Sequence, residues 1–176
     1  MSFFDRTIGA GATRGEIELC VSAAVVGGAL AGLLAWHARM APLAVAVVVA
    51  IALDGFGGVV VNATASNKRW FHGPGRTDRF HLLYVAAHVH PFVLALVVPG
   101  FTWVAATGVY ASVLVSALAI GAVPASLRRP AAFLFAAVSI AVVTSVLTIP
   151  HAVSWFAPVL IIQLLLSHML SEERSP

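Results

Sequence analysis

Asp54 is a carboxylate set in the middle of an otherwise apolar run, PLAVAVVVAIALDGFGGVVVNAT, and four of the seven histidines follow it at His72, His81, His88 and His90. These residue types suit proton chemistry. An imidazole exchanges a proton near neutral pH, and an adjacent carboxylate orients it and stabilises its charged form. On a helix, Asp54, Gly57, Gly58 and Asn62 stand at i, i+3, i+4 and i+8, on one face. The glycines let a ligand come close there, although small residues at this spacing equally serve to pack one membrane helix on another.

A helix that returns antiparallel from His81 reaches His88 after about 10 Å and His90 after about 13 Å. Asp54 lies roughly 15 Å from the same edge on its own helix. Asp54 is therefore expected level with His88 and His90, and Asn62 level with His81. His81 and His88, seven residues apart, share a face, while His90 points nearly the opposite way. Pro91 cannot donate to the Ala87 carbonyl and is expected to kink the helix beside His90. The candidate catalytic set is Asp54, His88, His90, Asn62 and His81. The connecting strip ASNKRWFHGPGRTDRF supplies Lys68, Arg69, His72, Arg76 and Arg79 as candidates for an anionic head group, with Gly73-Pro74-Gly75 as the turn that folds it back.

Other chemistries find fewer residues. A single divalent ion would draw on Asp54, His72, His88 and His90, but carboxylates are scarce and no HxxxH or HxxHH cluster is present. Haem held between two helices would use His81 and His168. Cys20 is a lone cysteine in an apolar run, which excludes a disulfide framework within one chain. No GxSxG, P-loop or Rossmann pattern occurs.

The elements that must hold these groups follow from composition. A chain of 176 residues that is 60% hydrophobic, 10% charged and has a mean hydropathy of +0.98 cannot keep a polar surface as a globule. Its apolar runs approach the ~20 residues that cross a hydrocarbon layer. The reading is an all-α, polytopic membrane helical bundle with six transmembrane helices, about 16–36, 42–64, 81–99, 102–123, 131–149 and 151–170, forming one integral-membrane domain. A polar loop, Ala65 to Phe80, joins the second and third spans, and SLRRP is a basic link before the fifth. Asp54, at the bilayer centre, is expected to face the bundle interior.

Six spans put both termini on one side, together with Arg6, Arg14, Lys68, Arg69, Arg76, Arg79, Arg128, Arg129 and Arg174, against Arg39 alone on the other. The positive-inside rule makes that side cytoplasmic and the location a plasma (inner) membrane. Trp36, Trp103 and Trp155 then fall at the outer interface and Trp70 at the inner one. The basic pI near 9.8 is thereby a topology signal, and no nucleic-acid partner is expected.

Three function classes fit. The first is an enzyme acting on a lipid or other hydrophobic substrate at a site open to the cytoplasmic leaflet. The second is a small proton- or cation-coupled transporter. The third is an accessory subunit, with or without a cofactor, of a larger membrane complex. Ionisable residues crowd into the first three spans, which favours a single one-sided site over a symmetric alternating path. The narrow interior of so short a bundle makes a homo-oligomer a natural assembly.

Overall fold

The computed structural model describes residue 9, residues 11–73 and residues 75–170. Arg6, Pro74 and Arg174, used above for topology and for the turn, lie outside the described residues. The helices are α1 (Arg14–His37), α2 (Pro42–Ala63), α3 (Ala65–Phe71), α4 (Asp78–Ala86), α5 (His90–Val97), α6 (Trp103–Ala122), α7 (Ala125–Val146) and α8 (Phe156–Ile161). A 3-10 turn, His151–Val153, precedes α8, and a π-helical segment, Ile162–His168, continues it. No strand occurs among the described residues.

Six segments are long and apolar enough to cross a membrane: α1, α2, the α4–α5 pair, α6, α7 and the run His151–His168. The last is the centre of the bundle. Of its most apolar window 61% is buried, against 22–39% in the other five. It packs on α2, α6 and α7, and Ile161, Leu164 and Leu165 are fully enclosed.

Helices α1 and α2 form a close hairpin. Its turn is tight enough to hold Arg39 at φ 54°, a left-handed value costly for any residue but glycine. Small residues set the approach. A Cβ on Gly27 would lie 2.2 Å from Phe56 Cγ, and one on Gly57 3.1 Å from Ala24 Cβ. Gly58 faces the other way, and a Cβ there would meet Gln163 Nε2 at 2.2 Å. Of the four-residue face read from the sequence, Gly57 and Asn62 are buried and Gly58 is partly so, whereas Asp54 is exposed. Asp54 therefore does not point into the bundle as expected, because α1 and the central span already occupy the glycine positions beside it.

Three other expectations need correction. The strip after α2 is not all loop: Thr64 caps α3 by accepting from the Asn67 N–H at 3.2 Å, and Ser66, Asn67 and Lys68 are buried. The third span begins at Asp78, capped by Thr77, and is interrupted rather than merely kinked. Pro91 leaves the Ala87 carbonyl without its helical donor, and the Val89 N–H bonds it instead at 2.9 Å, which ends α4 and restarts the chain as α5. The fifth span begins at Ala125, so SLRRP is helical. Pro130 has a helix-compatible φ and forfeits only the bond to the Ser126 carbonyl, at an exposed turn where water can serve it.

Gly27→Ala is expected to cost about 1–3 kcal/mol by overpacking against Phe56, seen as a lower thermal midpoint in detergent. Gly15→Ala, which meets nothing within 4 Å, serves as the neutral control. Equal midpoints for the two variants would refute the close α1–α2 contact.

Candidate functional site

The polar residues gather where α3, the start of α4 and the end of the central span meet. Lys68 turns inward, its ammonium donating to the Ser167 and Leu170 carbonyls. His72 Nε2 donates to the His168 carbonyl at 3.0 Å, which fixes the proton on Nε2. These two side chains cap the last turn of the π-helical segment, where Met169 N bonds the Leu164 carbonyl at 3.1 Å in an i→i+5 link. A cation at a helix C-terminus also opposes the negative end of its dipole.

Around this cap the rings are continuous. His72 stacks on His81 with centroids 4.4 Å apart. His81 Nδ1 and His168 Nε2 share a hydrogen bond of 3.1 Å. Tyr84 stacks on His168 at 3.9 Å and lies 4.7 Å from His88. Phe71 closes the edge, 5.2 Å from both Tyr84 and His168. Asn62 Nδ2, Gln163 Oε1 and His168 Nδ1 are buried without a partner. Such atoms ordinarily bind an ordered water or mark a functional site.

Further along α4 and α5, His88 Nδ1 donates to the Tyr84 carbonyl at 2.7 Å, and His90 lies 5.5 Å from His88. His90 Nε2 stands 3.9 Å from Asp54 Oδ2, with side chains 30% and 53% exposed. The structure thus joins Asp54 to His90 on the flank of the bundle and Asn62, His81 and His88 in its interior.

The cluster opens at its loop end into a cavity of about 500 Å³ lined by His72, Arg76, Asp78, His81, Ser126, Arg128 and Arg129, with Met169 and Leu170 as its apolar wall. Arg128 grips Asp78 in a bidentate pair, Nη1 donating to Oδ1 at 3.0 Å and Nη2 to Oδ2 at 2.7 Å. Arg76 lies over the rings of Phe80 and Trp70, 4.3 and 5.3 Å from their centroids. Of the basic residues expected to bind a head group, Arg76 and His72 line this cavity. Lys68 is engaged with carbonyls, Arg69 bonds Ser66 Oγ at 3.1 Å, and Arg79 is exposed.

Four participants escaped the sequence reading: Tyr84, Ser126, Arg128 and Arg129. Tyr84 carried a usable signal, since 81, 84 and 88 are i, i+3 and i+7 on one helical face. The arginines were read as a topology signal alone.

Among the described residues no three His, Cys, Asp or Glu side chains converge on a point that could hold a metal ion. Of the suggested ion ligands, Asp54, His88 and His90 lie together and His72 lies at the far end of the ring series. The haem reading also meets a geometric obstacle. Two axial imidazoles place their nitrogens roughly 4 Å apart across the iron, twice a metal–nitrogen bond of about 2.0 Å, whereas His81 and His168 already bond each other at 3.1 Å. Comparisons with protein-family models, curated proteins and solved structures match nothing to this chain.

Burial is the largest effect on His72 and pushes its pKa below the ordinary imidazole value. The Lys68 charge adds to this, and the bond to the His168 carbonyl opposes it. The folded chain then binds fewer protons at His72 than the unfolded chain below about pH 6.5. The stability that neutral His72 contributes is complete above that pH and is lost as pH falls. A thermal midpoint that drops on acidification is expected, with a shallower drop in His72→Gln; parallel curves would remove His72 from the cause. Lys68→Met leaves the buried Ser167 carbonyl and the part-buried Leu170 carbonyl without their charged donor and is expected to cost about 1.5–3 kcal/mol. Faster hydrogen exchange at residues 164–170 is the measurement that checks it.

Proposed function

We propose that this chain is an integral membrane enzyme that acts on an amphiphile carrying an anionic, phosphate-type head group, with its site at the cytoplasmic leaflet of a plasma (inner) membrane and both termini on that side. The observation that carries the reading is the cavity of about 500 Å³ lined by three arginines and two imidazoles, with Met169 and Leu170 as its apolar wall and its one carboxylate, Asp78, paired to Arg128. Guanidinium groups match phosphate and carboxylate oxygens in pairs. The apolar side admits the start of a hydrocarbon chain. A soluble anion would need no such wall.

In this reading Arg76 and Arg129 hold the head group and Arg128 shapes the cavity through its pair with Asp78. His72, kept neutral by burial, offers Nδ1 as a base, because its Nε2–H is engaged with the His168 carbonyl. His81 is the second acid–base group, braced through Nδ1 by His168. Two titratable groups in one cavity with different supports provide an acid and a base for the same turnover. The side of the membrane rests on the one-sided arginines and lysine.

Native mass spectrometry of the protein in nanodiscs of mixed lipid tests the binding step. Wild type is expected to retain phosphatidic acid or phosphatidylglycerol over phosphatidylcholine. Arg76→Gln with Arg129→Gln should lower that preference by at least about tenfold, the equivalent of ~1.4 kcal/mol. Equal retention of anionic and zwitterionic lipid by wild type would sink the proposal. If binding holds, His72→Gln and His81→Gln are each expected to abolish product formed from the retained lipid.

A further inference from the structure

Asp54 stands in an unusual place. On α2 it lies roughly 18 Å from Pro42 and roughly 14 Å from Ala63, and its side chain is half exposed on the flank of the bundle. With α2 crossing the membrane, as its length and composition allow, that flank meets hydrocarbon, which holds no water and makes an ionised carboxylate costly. A carboxyl there changes protonation only if a proton reaches it through protein. Outward of Asp54, α2 offers only apolar side chains from Pro42 to Leu53, and α5 beyond His90 reads PFVLALV. Towards the cavity, in contrast, lie the imidazoles of His90, His88, His168 and His81.

We propose that His81, His168, His88 and His90 form a proton relay that connects the loop-end cavity to Asp54, with Tyr84 and Asn62 lining its one water-bridged step. His81 lines the cavity through its ring and holds His168 Nε2 with Nδ1. A proton taken up at His81 Nε2 releases the one shared through Nδ1 to His168 Nε2. His168 then gives up a proton from Nδ1, which is buried and has no protein partner. Asn62 Nδ2, equally buried and unpartnered, supplies a second polar atom for the bridging water. Tyr84 packs against both imidazoles, His168 and His88, and so sets the separation that the water spans.

His88 has its proton on Nδ1, held by the Tyr84 carbonyl, so Nε2 both accepts the incoming proton and passes it on to His90 Nδ1, while His90 releases its Nε2 proton to Asp54. His90 is the next ring, and its Nε2 faces Asp54 Oδ2 at 3.9 Å. Each ring gains one proton and loses one, and Asp54 ends as the neutral acid. The fixed charges beside the path are Lys68 at the cap and Arg76, Arg128, Arg129 and Asp78 at the cavity; facing Asp54 itself are His90 and His88. A π-helical turn at His168 accords with this role, since π segments recur at functional sites.

The relay does not depend on the substrate proposed above, and its readout involves no lipid turnover, so either can fail without the other. The experiment is a stopped-flow pH drop on the full chain in nanodiscs, following the infrared carbonyl stretch of the protonated carboxyl, assigned to Asp54 by its absence in Asp54→Asn. Wild type is expected to protonate Asp54 within the mixing time. His168→Phe keeps a ring against Tyr84 but has no nitrogen, and should slow the step by more than about tenfold. His88→Phe does the same at the second interior ring, and serves if the first variant fails to fold. His37→Phe, at the opposite end of the bundle, should leave the rate unchanged. Wild-type rates in both relay variants, or an Asp54 carboxyl that does not titrate in wild type, would overturn the proposal.

Discussion

A helix whose last turn packs against other elements leaves its last carbonyls without partners unless side chains reach them. The central span of this protein ends that way. Ser167 and His168 are buried, and the carbonyls of Ser167, His168 and Leu170 are met by two side chains of one short helix, Lys68 and His72. Much of the polar architecture follows from this requirement. To deliver Lys68 inward, α3 must fold beneath the bundle, and its own start is held by Thr64 and by Glu16, which accepts from the Ser66 N–H and hydroxyl. Once α3 is seated, His72 falls on His81, and His81 on His168. The cap and the cluster are one construction.

The six spans were legible because hydropathy and length alone set them; no partner had to be known. The break in the third span was legible in part. Pro91 announces a lost hydrogen bond, but whether the helix bends or stops depends on what the Ala87 carbonyl finds instead, and the Val89 N–H is a local choice that no periodicity records. Helix α3 was hidden for the opposite reason. Seven residues with no apolar stripe give no helical signal, and its stability comes from caps and from the carbonyls that Lys68 reaches. Pro130 misled because a proline ordinarily marks a boundary, yet at an exposed helix start its one missing donor costs little.

The site was legible in composition and not in assembly. The depth argument placed Asp54 against His90 correctly in height but could not say which way α2 is rotated. Gly57 and Gly58 settle that: one admits α1, the other Gln163, and the carboxylate between their directions is left on the flank. The sequence also kept His168 apart from the other histidines, since contact between residues 81 and 168 is a property of how the sixth span threads the bundle. A haem bridge was one way to join them across a distance. Direct contact is simpler, and it makes Tyr84 the hub of the interior, touching Phe71, His88 and His168.

Charge and polarity are distributed along the membrane normal in a way that bears on mechanism. From the cavity to Asp54 the interior is lined by ring nitrogens, an amide and a phenol; beyond Asp54 the adjoining stretches of α2 and α5 are purely apolar. The Ser116–Ser139 hydrogen bond of 3.0 Å is a local tie between α6 and α7. A through-channel needs polar groups on both halves of its length. Among the described residues the polar groups lie on one half only, with His81, His168, His88 and Asn62 on the side of the cavity and apolar side chains from Pro42 to Leu53 on the other.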